Sequence, residues 1–434
     1  MHRWNPLAEI VRSEWLNITV SGALAGLLSG TVVIAFRVTI DGAQRSFLPG
    51  GEVGNYELLD PLVRLVLCVA GAGVLALLFQ WVRPETRSVG IVHVLDRFWS
   101  PRETGRLPLR NAIVQFIGGT LAIVSGQSVD REGPGVHLGA AAGSLLGQSL
   151  GLAAEDLRTV IACGVAASIA AAFNTPLAGV IFVIEVIRVR YTVPRFIPVL
   201  LAAVMGAVIG RAVFGPTLAF HAPPVRLVSL MELPVLGVLG LILGLLAAAF
   251  IGLCEGIARY TRNWPILPAF LLAGLVTGIC GLWTPQIMGV SYDTLHGMLH
   301  ERVGVGTLIG ILCFKLIATA VSVGLRIPGG LIGPTLVTGS ATGAIIGFLA
   351  QALFAFDTGS SGFYAVIGMA VMMGAALRAP LAALIALLEL TGNPNIILPG
   401  LLALVSADGV ARSLLGKESI FFALLKVQPP RQGG

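Results

Sequence analysis

The chain is a succession of apolar stretches cut repeatedly by proline or glycine, and this pattern restricts the possible folds more than any other feature. The stretches lie near 16–37, 62–82, 111–126, 134–152, 159–173, 175–190, 195–214, 234–260, 266–283, 304–323, 331–354, 362–376, 379–391 and 395–415. With 56% of 434 residues hydrophobic and 12% charged, a soluble domain could not hide the apolar surface, so the solvent for most of the chain is lipid. Many of the stretches are shorter than the ~20 residues a helix needs to cross a bilayer. Short helices that end at membrane depth fit this pattern, and they are tolerated only where the broken backbone is buried in protein or lines a cavity. The 55 glycines allow both close helix packing and such breaks. The expected fold class is an all-α polytopic membrane protein with many tilted and broken helices.

Charge sets the orientation. The segment 83–110 carries Arg83, Arg87, Arg97, Arg102, Arg106 and Arg110, whereas 41–61 carries Arg45 against Asp41, Glu52, Glu57 and Asp60. By the positive-inside rule the N-terminus and 83–110 face the cytoplasm and 41–61 faces out. No cleaved signal peptide is expected, because no short apolar core with a small-residue cleavage site follows the first residues. The expected organisation is a cytoplasmic segment 1–15, a transmembrane domain 16–425 and a cytoplasmic tail 426–434. The five cysteines sit in apolar stretches without CxxC spacing, and the six histidines are scattered. No metal site and no cofactor are expected.

An internal repeat is visible. Pro134, Gly139, Gly143 and Gly147 recur as Pro334, Gly339, Gly343 and Gly347 at a constant offset of 200. The run Ala171-Ala172-Phe173-Asn174-Thr175-Pro176-Leu177-Ala178 recurs as Ala375-Ala376-Leu377-Arg378-Ala379-Pro380-Leu381-Ala382, and nine residues past each proline stands a carboxylate, Glu185 and Glu389. Two halves, roughly 62–215 and 234–415, with a site at their interface are the transporter pattern.

The chemistry concentrates in Ser125-Gly126-Gln127-Ser128-Val129-Asp130-Arg131-Glu132-Gly133-Pro134. Pro134 suits the first turn of a helix, where its missing N–H is not needed. Glu132 then stands at the helix start, where free N–H groups and the helix dipole favour an anion. A charge at bilayer depth costs about 2.5–3.5 kcal/mol on insertion scales, so a carboxylate kept there points to function. In the second half, Ile327-Pro328-Gly329-Gly330-Leu331-Ile332-Gly333-Pro334 opens the next helix without an acidic residue. That start is expected to be open to a mobile anion at the amides of Leu331 and Ile332. Glu185 and Glu389 read as anchors bonded to backbone or a polar neighbour. Lys315, Arg378, Asp408 and Arg412 are candidates for internal pairing, and His137 reads as a packing residue. No phosphate loop and no Ser/His/Asp arrangement is present, so an embedded enzyme is the weak rival class.

These residues resemble the CLC family of chloride channels and chloride/proton antiporters. Arg131-Glu132-Gly133-Pro134 is similar to that family's GREGP signature, with Asp130 in place of the first glycine, and Gly330-Leu331-Ile332-Gly333-Pro334 is similar to its GIFAP signature. Pro176 to Val186, Pro380-Leu381-Ala382 and Glu418-Ser419-Ile420-Phe421 also resemble the family pattern. The resemblance implies an inverted repeat, a homodimer with one anion pathway per protomer, and a bacterial inner-membrane location without nucleic-acid partners. It makes Glu132 the gating glutamate and chloride the bound ligand. Expected anion contacts are Arg131, Gly133, Leu331, Ile332, Phe421 and either Ser88 or Val89.

Three departures shape the functional expectation. The family's serine of its GSGIP segment aligns with Val89, or after a one-residue slip with Ser88. Its central tyrosine aligns with Phe421, and the inner proton-relay glutamate of many antiporters aligns with Val186, one past Glu185. The expectation is therefore chloride transport that is channel-like or weakly proton-coupled. The alternative is true chloride/proton antiport with protons reaching Glu132 by water or through Glu185, and a fluoride/proton antiporter is less favoured because Pro134 completes the chloride-type signature.

Overall fold

The computed structural model describes residues 6–100, 105–190, 192–215, 226–354 and 357–427, with side chains from residue 16 onward. Residues 1–5, Arg102 of the basic segment and the tail beyond 427 lie outside the described residues. Seventeen α-helices are present among the described residues: α1 (Pro6–Phe47), α2 (Pro61–Trp81), α3 (Gly90–Trp99), α4 (Leu109–Val124), α5 (Glu132–Ser149), α6 (Ala154–Phe173), α7 (Pro176–Phe182), α8 (Val193–Phe214) and α9 (Leu233–Tyr260), then α10 (Ile266–Trp283), α11 (Tyr292–Leu299), α12 (Val305–Gly324), α13 (Ile332–Leu353), α14 (Ser361–Leu377), α15 (Pro380–Thr391), α16 (Ile397–Asp408) and α17 (Ile420–Val427). Nine spans among them are long and apolar enough to cross a membrane. Short apolar helices such as α4, α7, α14 and α15 fall below that length.

The apolar stretches became helices close to the expected bounds, and three helices were not anticipated. The basic segment 83–110 contains α3, whose apolar side buries Ile91, Val94, Leu95 and Phe98. An amphipathic helix of this length has no long apolar run to announce it. The helices α11 and α17, at eight residues each, are too short to stand out as membrane spans. Helix α1 continues to Phe47, so the acidic outer segment starts later than position 41.

The repeat is visible in local geometry. Helix α6 ends on Asn174 and α14 ends on Arg378, both left-handed at φ 59°, and Pro176 and Pro380 then open α7 and α15. Each proline takes an early helical position where its missing N–H is harmless. Helix α5 packs on α6 as α13 packs on α14. A Cβ added at Gly139 would lie 2.5 Å from the Gly164 carbonyl oxygen, and Gly339 meets Gly368 in the same way. Only glycine permits so close a crossing in both halves. The two segments that precede α5 and α13 run antiparallel and are bridged by Asp130 and Gly330, which are equivalent positions of the repeat. Equivalent segments that meet antiparallel are related by a local two-fold, which is the inverted arrangement.

Candidate functional site: two helix starts face to face

The Asp130 N–H donates to the Gly330 carbonyl and the Gly330 N–H donates to the Asp130 carbonyl, both at 3.1 Å. This bridge brings the N-termini of α5 and α13 together inside the protein. The Asp130 carboxylate is fully buried between them. Its Oδ1 accepts the Gly133 N–H at 2.9 Å, and its Oδ2 accepts the Gly333 N–H at 2.5 Å. One carboxylate thus caps two helices from opposite halves, where two positive dipole ends converge. Gly330 leaves the room it needs, since a Cβ there would lie 2.7 Å from the Gly133 nitrogen and collide with Asp130.

Asp130 closes part of the second start, at the amide beside Leu331 and Ile332. No acidic residue stands in its own sequence, but Asp130 reaches it from 203 residues away. The bonded amide is that of Gly333, next to the expected pair Leu331 and Ile332. Both of those residues are buried, with Leu331 immediately before α13 and Ile332 as its first residue.

Glu132 is the first residue of α5 and is 2% exposed. Its carboxylate does not share the Gly133 and Gly333 amides that Asp130 holds. Arg131 Nε stands 3.6 Å from Oε1, and the Tyr292 side chain interacts with the same carboxylate. Arg131 also donates from Nη1 to Asp41 Oδ1 at 3.0 Å, and Asp41 faces Arg37 at 3.6 Å. Arg131, expected as an anion contact, is therefore engaged in a ladder of alternating charge that runs to α1. Lys315 lies fully buried nearby and donates to the carbonyls of Ile287 and Gly289 and to Ser291 Oγ, each at 2.8 Å. Its charge acts on Asp130. A buried cation held by neutral acceptors adds positive potential to the site.

A third helix start belongs to α3. The Gly90 N–H donates to Gln115 Oε1 at 2.7 Å, and Gln115 Nε2 donates to the Pro328 carbonyl at 3.2 Å. Gln115 thereby ties α3 to the segment before α13. It was missed from sequence, although a glutamine inside the apolar stretch 111–126 was the available signal. Val89 precedes α3 without capping it, and the Ser88 carbonyl accepts from Asn111 Nδ2 at 2.9 Å. Helix α17, carrying the buried Phe421, packs on α3.

The carboxylates after the proline-led helices are reciprocal caps. Glu185 accepts the N–H groups of Leu381 and Ala382 at 3.2 and 2.8 Å, and Glu389 accepts those of Leu177 and Ala178 at 3.0 and 2.8 Å. Each half caps a helix of the other. Glu185 sits in a π-helical turn, Val183–Ile187, beside the buried Val186. A small cavity of about 30 Å³ lies between these helices and touches Thr175, Met373 and Ile332. His137 Nε2 is 2.9 Å from His93 Nδ1, and Arg97 Nε donates to His93 Nε2 at 3.2 Å, so His137 ends a buried polar chain. Arg378 pairs with Asp408 at 2.5 Å.

With this geometry in view, the chain was compared with known proteins. The family model described as voltage gated chloride channel matches residues 67–412. A ClcB-like protein of Ralstonia nicotianae is 33% identical over 412 residues, covering 92% of this chain and 95% of that one. An H(+)/Cl(-) exchange transporter ClcA of Salmonella typhi is 29% identical over 420 residues, covering 93% and 87%. Among solved structures, a slow cyanobacterial Cl-/H+ antiporter superposes with a TM-score of 0.81 at 25% identity, covering 94% of this chain and 97% of that one. A CLC-type fluoride/proton antiporter gives 0.75 at 22% identity, covering 95% and 98%, a likeness of fold alone.

Proposed function

The chain belongs to the voltage gated chloride channel family, and we propose that it carries chloride, or another small anion, through the site where α5 and α13 meet. The observation that carries this reading is the pair of converging amides at Gly133 and Gly333, which already hold one carboxylate. Donors that hold a buried carboxylate hold a chloride by the same physics. Chloride is the ligand, no cofactor takes part, and the amides of Leu331 and Ile332 extend the site. Glu132 is the gate. A buried carboxylate and an anion repel each other in a low-dielectric site, so one leaves or is neutralised when the other binds.

The transport mode we favour is channel-like or weakly proton-coupled. Val186 is apolar and buried where an inner proton carrier would stand, and both oxygens of Glu185 are engaged as a cap. The alternative, chloride/proton antiport, is favoured by the exchangers among its relatives, ClcA and the cyanobacterial antiporter. A homodimer in a bacterial inner membrane, N-terminus in the cytoplasm and residues 16–425 as the transporting unit, completes the proposal. Purified protein in chloride-loaded liposomes tests it. Chloride efflux through wild-type protein is expected, and its absence would overturn the reading.

A further inference from the structure

We infer that Asp130 is a second control carboxylate: it occupies the anion position shared by the starts of α5 and α13, and a transported anion must displace it. The inference rests on the anion-transport reading above and goes beyond it by naming what already fills the site.

Three observations carry it. The Asp130 carboxylate takes one N–H from each helix start, at 2.9 Å from Gly133 and 2.5 Å from Gly333. The Glu132 carboxylate, two residues on and equally buried, bonds neither the Gly133 nor the Gly333 amide that Asp130 holds and lies against Arg131 instead. A carboxylate at a helix start ordinarily takes the free N–H groups there, whereas Glu132 faces Arg131 and Tyr292. Occupancy by Asp130 explains it, since Glu132 is kept from amides that Asp130 already uses. Gly330 supplies the space, for any side chain there would collide with Asp130.

The Asp130 carboxylate bridges two helices from different halves, at the point where an anion would bind both. Displacement keeps the charge in the site at minus one. The incoming anion takes the Gly133 and Gly333 N–H bonds in place of the carboxylate. A tethered competitor lowers the apparent affinity for a free anion by the fraction of time the site is vacant. If the vacant state is ~1–10% populated, removal of the competitor tightens anion binding by ~10- to 100-fold.

The test uses full-length protein purified in detergent, with chloride binding read by isothermal titration calorimetry and chloride efflux read in liposomes. Asp130→Gly is expected to bind chloride ~10-fold or more tightly than wild type and to release it faster from liposomes. Asp130→Asn, which keeps a carbonyl acceptor without the charge, is expected to move the same way by less. Folded Asp130→Gly or Asp130→Asn with wild-type chloride affinity and efflux would overturn the inference, and Asp130→Asn decides if Asp130→Gly does not fold. Wild type and variants that bind chloride in the expected order but pass none would sink the transport reading while leaving the role of Asp130 standing.

Discussion

The start of α5 and the start of α13 share their proline, their glycine spacing and a mutual backbone bridge, yet the first carries Asp130, Arg131 and Glu132 where the second carries Gly330, Leu331 and Ile332. One half supplies all the charge and the other supplies space. The backbone of a repeat can therefore stay symmetric while its chemistry becomes one-sided. Two equally charged starts would place several carboxylates in one buried site, which electrostatics forbids. Two uncharged starts would leave converging amides without a resident partner. A single carboxylate from the first half serves both.

The comparison is broken most severely at Gly330. Gly330→Ala drives a methyl group into Asp130 and the Gly133 amide, and we expect a loss of about 3 kcal/mol or of folded protein altogether, from overpacking next to backbone. Thermal melting in detergent reads it, and a melt equal to wild type would mean that the two starts do not meet as described.

Next in size are the reciprocal caps. Glu185→Gln and Glu389→Gln each weaken two charge-assisted bonds to helix N–H groups, and each is expected to cost about 1–3 kcal/mol. The two losses should match, because the geometry matches. A much larger effect of Glu185→Gln on proton movement than on melting would assign Glu185 to a proton route instead of an anchor.

Glu132→Gln should abolish residual proton coupling and alter chloride flux by about tenfold, or ~1.4 kcal/mol in the barrier. Flux measured in liposomes checks it, and a wild-type-like variant removes Glu132 from gating. The smallest change is Phe421→Tyr, which restores a hydroxyl at the base of α17. We expect a gain of about 0.5–1.5 kcal/mol in anion affinity, one hydrogen bond's worth, read by calorimetry. No gain would place position 421 away from the anion.

Much of this was legible in the sequence because it depends on local pattern. The broken apolar stretches announced the helices, and the paired Asn174-Thr175-Pro176 and Arg378-Ala379-Pro380 turns announced the repeat. Glu185 and Glu389 read correctly as anchors, since a carboxylate in an apolar helix needs a partner. What sequence could not give was the approach of distant segments. The double cap made by Asp130 is hidden in the sequence, because nothing local shows that Gly333 comes within 2.5 Å of its carboxylate. The pairing of Arg131 is hidden likewise, because its partner Asp41 lies ninety residues earlier on α1. Helix α3 was hidden by its own amphipathicity, and with it the role of Gln115.

The central claim is that converging helix starts under carboxylate control carry chloride with little or no proton exchange. Simultaneous recording of chloride and proton movement across liposomes holding the wild-type protein tests it most directly. The account predicts chloride efflux down its gradient with no sustained uphill proton movement. Uphill proton movement driven by the chloride gradient in a fixed ratio would contradict it.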